Sequence, residues 1–542
     1  VQFRNHLLPQ TFWPRSCVQM TVDKDERKAF KALQGRLQSI WEDVHNQPRA
    51  PHSCLVIPSL SFDQEELQKV TGVPFYEERL MFMLMRLRRP GARLMYITSQ
   101  PVDADIVDYY LQMLVGVPPT HARRRLTMLC VQDASPRALT EKILERPRVI
   151  DRIRQWIGDK DRAYMSCFAT SALERTLAVA LGIPLNGADP DLLHLGSKSG
   201  SREAFRAAGI ELPDGTENLG SLDAAVAALD ELKTNKPEMK RAVVKLNEGF
   251  SGEGNALFEF PSPMPKDPAA RDKAIRGAMH TLKFAAKNHC ERLFFEKYAE
   301  MGGVVEEFLE AEEVRSPSVQ LRITPAGELR IISTHDQALG GESGQVYLGC
   351  AFPASDEYRA MITERAHFVG EVLRDQGVIG RFAIDFLVFR DPGEEWRCSA
   401  IEINLRMGGT TFPFIALDFL TGGTLTGSGD YRTRTGVAKF YFATDVLTSS
   451  SYRGLLPQDF LEIVIHHGLH FSPSTETGVL FHMIGALSQY GKIGVICIGN
   501  SPQEAADLYK RTRDVLDTET DATRTDKGQL MSMFDDFPHL YD

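Results

Sequence analysis

The stretch GRFAIDFLVF, followed closely by CSAIEINLRMGG, sets acids inside apolar, strand-like runs: Asp385 in the first, Glu402 and Asn404 in the second. In IEIN, Glu402 and Asn404 are two apart, so in a strand they point to the same face. An ionised carboxylate among apolar neighbours costs several kcal/mol unless it is paired or metal-bound. Oxygen ligands from Asp, Glu and Asn suit Mg²⁺, with Mn²⁺ as a substitute, and Mg²⁺ keeps waters and bridges nucleotide phosphates. Arg406, two further along the same face, would then meet phosphate or a developing oxyanion. Either acid alone would read as the polar outer face of a half-exposed strand; the four residues together point to chemistry.

Three further segments carry related chemistry. In RAVVKLNEGFSGEGNALFEF, Lys245 ends an apolar strand, and Gly249, Ser251, Gly252 and Gly254 form a turn before the next strand. Glycines free backbone amides to wrap phosphate oxygens, and a lysine on a rigid strand supplies a point charge. The bland alternative is an ordinary hairpin turn. In VVEEFLEAEEV a short strand, Val304 to Leu309, runs into the acids Glu310, Glu312 and Glu313. One carboxylate can accept from an adenine amino group, the backbone around Glu307 to Leu309 can read the base edge, and a later glutamate can hold the ribose; a solvated acidic face is the alternative. In LGSKSGSREAFRAAGIELP, Lys198 precedes a helix whose end Gly209 marks. The polar stretch STHDQALGGESGQ reads as a loop, with His335 and Asp336 as candidate substrate contacts or as a hydrogen-bonded loop pair.

These residues need a scaffold, and 542 residues exceed what one core can serve. A helical stripe of Phe30, Leu33, Leu37, Ile40 and Trp41 comes first. From Ser53 the strands SCLVIPS, ARLMYITSQ, RLTMLCVQ and AYMSCFAT alternate with helical stretches such as Glu77 to Arg88 and Asp103 to Val115, the signature of a parallel sheet covered by helices. PSLSFD follows the first strand where a dinucleotide fold would place GxGxxG, and no GxxxxGKS loop marks a P-loop enzyme. Between Pro190 and Gly429 the strands alternate more clearly and glycines cluster. After the Gly/Ser/Thr-rich link Thr421 to Gly436, GVLFHMIGAL and KIGVICIGN read as paired strands, and SPQEAADLYKRTRDVL as a helix capped by Ser501.

Composition excludes other classes. A net charge of -10 argues against a dedicated nucleic-acid binder, and RRRLT at Arg123 to Thr127 reads as the charged end of a strand. Eight cysteines without a CxxC pair read as reduced core residues. No apolar run is long enough for a membrane span, and the N-terminus lacks a basic segment followed by an apolar one. A cytoplasmic protein with neither nucleic-acid nor membrane partners is expected, of open oligomeric state.

The linear order of lysine before a helix, lysine with a glycine loop, acidic hinge strand and D…ExNxR resembles the ATP-grasp superfamily over Pro190 to Gly429. More narrowly, PSLSFD, YEERLMFML, SPSVQLRITP, STHDQ, GQVYLGCAFPA, EINLRMGGTT and GVLFHMIGALSQYGKIGV resemble the pheganomycin-type peptide ligases and their carboxylate–amine ligase relatives, from about Ser53 to Leu516. Pattern and composition give an N-terminal extension with a helix (1–50) and a flexible tail (521–542), and between them the resemblance implies an α/β and α+β architecture: a Rossmann-like precursor domain (51–189), an ATP-grasp domain (190–429) and a small α+β C-terminal domain (430–520). It implies nucleotide contacts from Lys198, Lys245, Glu306 and Leu309, with Glu313 on the ribose, magnesium on Asp385, Glu402 and Asn404, and a catalytic role for Arg406. Phe412 in GGTTFPF departs from the histidine expected of relatives, which bears on the acceptor pocket.

The implied activity joins a small carboxylate to an amine, amino acid or peptide through an acyl phosphate, at the expense of ATP and with Mg²⁺. A kinase that stops at the phosphorylated product, or a nucleotide-binding protein without turnover, are the alternatives.

Overall fold

The computed structural model describes residues 24–520 except 48, 63, 69, 250–253, 286–290 and 341–345. The first apolar stripe, expected on one helix, is divided between two, Lys24–Gln34 and Leu37–Asn46, with the break at Gly35 and Arg36. Phe30, Leu37 and Ile40 are buried, and Trp41 stacks 4.3 Å beneath the Arg322 guanidinium.

Four parallel strands follow, in the spatial order Leu126–Cys130, Ala92–Thr98, His52–Ile57 and Ala163–Cys167. His52–Ile57 is buried along its whole length, as expected of a parallel strand covered on both faces. The expected helix at Glu77 to Arg88 lies within a longer, tighter segment of 3₁₀ type, Val73–Arg88, buried nearly all round between this sheet and the C-terminal strands. The arginine run at 123–125 is tied down: Arg123 pairs with Asp108, and Arg125 donates to the carbonyls of Leu87 (2.6 Å) and Ala92 (2.9 Å).

Two antiparallel sheets carry the residues of interest. The smaller runs Gly215–Leu219, Gly303–Glu307, Arg241–Leu246, Asn255–Glu259, Lys283–Phe284. Helices Leu222–Asn235, Pro268–Met279 and Glu291–Met301 bury Leu229, Ile275 and Phe294 against it. The larger runs Glu313–Arg315, Gly380–Arg390, Pro317–Ile323, Leu329–Gly340, Val346–Phe352, Phe440–Thr448, Lys492–Gly499, Gly478–His482, with Arg397–Asn404 on the other side of Gly380–Arg390. The stretch read as a polar loop from Ser333 is therefore strand through Gly340: tertiary pairing on both sides supplies partners for its backbone, which its polar side chains do not reveal.

The C-terminal α+β unit has the expected hairpin and helix, and its strands extend the large sheet through the pairing of Phe440–Thr448 with Val346–Phe352. Ser501 caps helix Pro502–Glu519 by accepting from the Glu504 amide at 3.1 Å. The Gly/Ser/Thr-rich link folds into a short hairpin, Thr424–Leu425 with Tyr431–Arg432, pinned by a buried Tyr431 hydroxyl that accepts from the Gly423 amide at 2.8 Å. The expected tail, 521–542, lies outside the described residues.

Across the central strand Gly380–Arg390 and its neighbours Pro317–Ile323 and Arg397–Asn404, Val319, Ile384 and Ile403 stand side by side on the face covered by helix Asp356–Asp375, while adjacent positions turn the other way. Ile384→Ala should therefore lower stability by about 2–5 kcal/mol. Ile465→Ala, at a position 67% exposed, should change it by about 0.5 kcal/mol or less. Denaturant titrations of the two variants check the contrast.

Candidate active site

Alternation along the strands puts Asp385 opposite Glu402, and Ile384 opposite Ile403 on the reverse face. A register shift follows directly: Phe386 pairs with Ala400, leaving Ile401 as an extra residue. Ile401 and Glu402 consequently both line one cavity of about 1250 Å³ between the two antiparallel sheets. Lys245, Gly249, Glu306, Glu307, Leu309, Asp385, Asn404 and Arg406 line it too. Such a volume exceeds that of a usual small-molecule site, about 300–1,000 Å³, and has room for more than one ligand.

Asp385 accepts from the amides of Gln337 and Asn404, each at 2.8 Å. Burial, and then the facing Glu402 charge, push its carboxyl up to about 6 against the opposing pull of Ser318, Lys198 and Gln337. Glu402 pairs with Lys198, whose helix Lys198–Ala207 opens at the Ser197 cap. The Asn404 amide nitrogen faces Asp385, which leaves its carbonyl oxygen available as a ligand. Two opposed carboxylates beside an amide oxygen fit a hard divalent cation in their donor chemistry. Arg406 lies past the strand end, where its amide donates to the Asn404 carbonyl at 2.8 Å and its guanidinium lies 5.3 Å from the Phe62 ring. Burial draws the Arg406 pKa down while Glu402 and Asp385 draw it up, the first outweighing the others.

On the facing sheet Glu306 sits between Lys245 and Arg202, with Arg202 at 2.8 Å. Burial pushes the Glu306 carboxyl up, but the two cations outweigh it and hold it below the ordinary range. Helix Lys198–Ala207 thus carries one cation to each sheet, four residues apart and so on one helix face. Asn247 locates that helix: its carbonyl accepts from the Lys198 amide at 3.1 Å, and its side-chain oxygen from the Ser199 amide at 3.0 Å and hydroxyl at 2.7 Å. The ends of the glycine turn meet, since a Cβ on Gly249 would lie 3.4 Å from Gly254; Ser251 and Gly252 lie outside the described residues.

The other expected residues divide between the cavity wall and the body of the sheets. Glu307 faces Lys236 and accepts from the Asp214 amide at 2.9 Å. Glu313 pairs with Arg390 at 3.0 Å, whereas Glu310 lines the cavity with Arg241 at 2.7 Å. His335 and Asp336 are buried in the sheet: His335 meets the Tyr441 hydroxyl at 2.5 Å, and burial holds it neutral, down to about 3. Asp336 accepts from the Tyr358 hydroxyl at 2.8 Å and the Ser355 amide at 2.9 Å, so the pair anchors helix Asp356–Asp375. Phe412 packs in the core, 6.1 Å from the Phe82 ring and 4.2 Å from His482.

Asn247, Arg202, Gln337, Ser318 and Tyr347 were not singled out from sequence. The spacing of Lys198 and Arg202 was a signal for one of them. The paired glycines of RMGG were a signal for Tyr347, whose ring a Cβ at Gly409 would approach to 2.9 Å.

The family described as "IQCH-like, ATP-grasp" matches residues 190–296 and 280–427, and the PGM1 C-terminal domain matches 459–512. The L-propargylglycine–L-glutamate ligase of Streptantibioticus cattleyicolor is 31% identical over 469 residues, covering 85% of this chain and 93% of that protein. The IQ motif-containing protein H of Danio rerio is 24% identical over 73% of this chain and 42% of its own length. In fold, the chain is similar to the biotin carboxylase domain of the Hydrogenobacter thermophilus 2-oxoglutarate carboxylase, solved with MgADP, ADP and bicarbonate (TM-score 0.52, 10% identity, 90% of this chain and 98% of that one). By its 31% identity to the amino-acid ligase over 85% of its length, and by the ATP-grasp family model over 190–427, this chain belongs to the ATP-grasp family.

Proposed function

We propose that this protein is an ATP-dependent carboxylate–amine ligase that forms an amide, ADP and phosphate through an acyl phosphate. The observation that carries the reading is the convergence on one cavity of Lys245 and the Glu306–Leu309 wall from one sheet with Asp385, Glu402, Asn404 and Arg406 from the other. The similarity to an amino-acid ligase over 85% of the chain supports it.

In this reading adenine lies against residues 306–309 and the ribose against Glu310, which lines the cavity where Glu313 does not. Lys198 and Lys245 meet phosphate oxygens as point charges. Asp385, Glu402 and Asn404 would hold Mg²⁺, which would supply positive charge to neutralise the transferring phosphate. The substrate carboxylate attacks the γ-phosphorus and ADP leaves. The amine then attacks the acyl carbon, Arg406 stabilises the tetrahedral oxyanion, and phosphate departs. Lys198 and Lys245 exchange their protein carboxylates for phosphate oxygens, so neither cation is left uncompensated in the buried site. A cytoplasmic setting belongs to the same proposal, supported by the free thiols of the six described cysteines.

Asp385→Asn and Glu402→Gln should fold yet lose most ATP turnover; wild-type rates at low Mg²⁺ in either would remove the metal assignment. Lys245→Ala should weaken nucleotide binding or turnover far more than Arg124→Ala, as read by titration and ADP release. Once an acid and amine pair is in hand, ¹⁸O supplied in the carboxylate should appear in inorganic phosphate. AMP as product, or amide with no label in phosphate, would overturn the acyl phosphate. ADP with label kept in a phosphorylated product would identify a kinase.

A further inference from the structure

The wall that segment Val73–Arg88 and the C-terminal strands contribute to the cavity holds a charge pair that the chemistry above does not use. Arg79 and Asp445, both nearly fully buried, form an ion pair there. The Arg79 guanidinium stacks 3.9 Å over the Tyr76 ring, which fixes its plane, and its Nε has no partner among the described residues. Lys492, on the same wall, donates to the Thr71 carbonyl at 3.1 Å and to the Tyr76 hydroxyl at 3.0 Å. Arg79 and Lys492 both stand on this part of the wall, and Asp445 is the carboxylate paired with Arg79 there.

A buried ion pair at best roughly balances its own desolvation, and well-packed apolar residues would join these segments as firmly. Stability alone therefore gives no reason to keep opposite charges on a cavity wall. A ligand bearing both charges can take the place of the pair's mutual contact without leaving either buried charge uncompensated. A carboxylate matches the edge of a stacked guanidinium in bidentate fashion, and an ammonium matches a carboxylate.

We infer that Arg79 and Asp445 recognise the zwitterionic head of an α-amino acid substrate, Arg79 taking its carboxylate and Asp445 its ammonium group. This assigns two specificity-determining residues to the ligase and rests on that reading.

Calorimetric titration of the full chain with each of the common L-α-amino acids, and with the decarboxylated and deaminated analogues of those that bind, tests the assignment. At least one amino acid should bind. Removing its carboxylate should weaken binding to the wild type by about 10- to 100-fold but change little in Arg79→Gln. Removing its amino group should behave in the same way towards Asp445→Asn. Each single variant leaves a buried charge unpaired, so the double variant Arg79→Gln/Asp445→Asn, neutral at both positions, serves as the folded control, with thermal midpoints recorded throughout. It should fold and bind none of the amino acids. A structural pair would instead lower the midpoint of the single variants, recover it in the double variant and leave analogue discrimination as in the wild type; that result, or binding of no amino acid, overturns the assignment. Amide formation with unchanged discrimination overturns this assignment but not the ligase reading. Discriminating binding without amide and ADP supports this assignment and removes that reading.

Discussion

Two cations on one helix hold the site together. Lys198 and Arg202 project from helix Lys198–Ala207 four residues apart, one to Glu402 on the large sheet and the other to Glu306 on the small sheet. Each carboxylate stands in a wall between the sheets, and Glu306 is shared with a second cation, Lys245. Moving either sheet relative to the helix would separate at least one pair and expose the cost of an unpaired buried charge. The cavity between the sheets is therefore defined by electrostatic pairing as much as by packing.

This constraint explains the placement of lesser residues. Asn247 directs its backbone carbonyl and side chain to the first turn of the helix, so the end of the Lys245 strand and the Lys198 amide are joined. Gln337 and Asn404 supply amides to Asp385, which faces Glu402 across the strand pair and cannot share Lys198 fully. The register shift at Ile401 lets Glu402 keep its cavity position while Ala400 and Phe386 return to the core. Pairs of this kind add little net stability; they fix position.

Other buried polar groups serve the frame. His335 and Asp336 join strand Leu329–Gly340 to Tyr441 and to the start of helix Asp356–Asp375, which covers the reverse face of the strands that carry Asp385 and Glu402. Tyr431 and the Arg359–Asp430 pair, at 2.7 Å, secure the link into the C-terminal strands, and those strands bring Asp445 and Lys492 to the cavity. The chain thus closes the far side of the cavity with residues distant in sequence from the strands that carry Lys245 and Asp385.

The sequence by itself determined the four strands of the parallel sheet, the C-terminal strand pair and the residues whose chemistry depends on local pattern. Period-two alternation in IEIN and AIDF marks which acids share a face, glycines after Lys245 mark a turn, and Ser501 marks a helix start, because each signal is carried within a few residues. Only the tertiary structure decided which of several similar groups reach the cavity. Glu310 lines it and Glu313 does not, since strand Glu313–Arg315 pairs with Gly380–Arg390 and sets Glu313 against Arg390. His335 resembled a substrate contact because polar residues in a row read as loop, whereas pairing with two flanking strands buried it. Arg79 and Asp445 lie 366 positions apart, so no local pattern could join them. Charge pairing is short-ranged in space and indifferent to separation along the chain, and that is why the strands of Asp385 and Glu402 were legible while the company they keep was not.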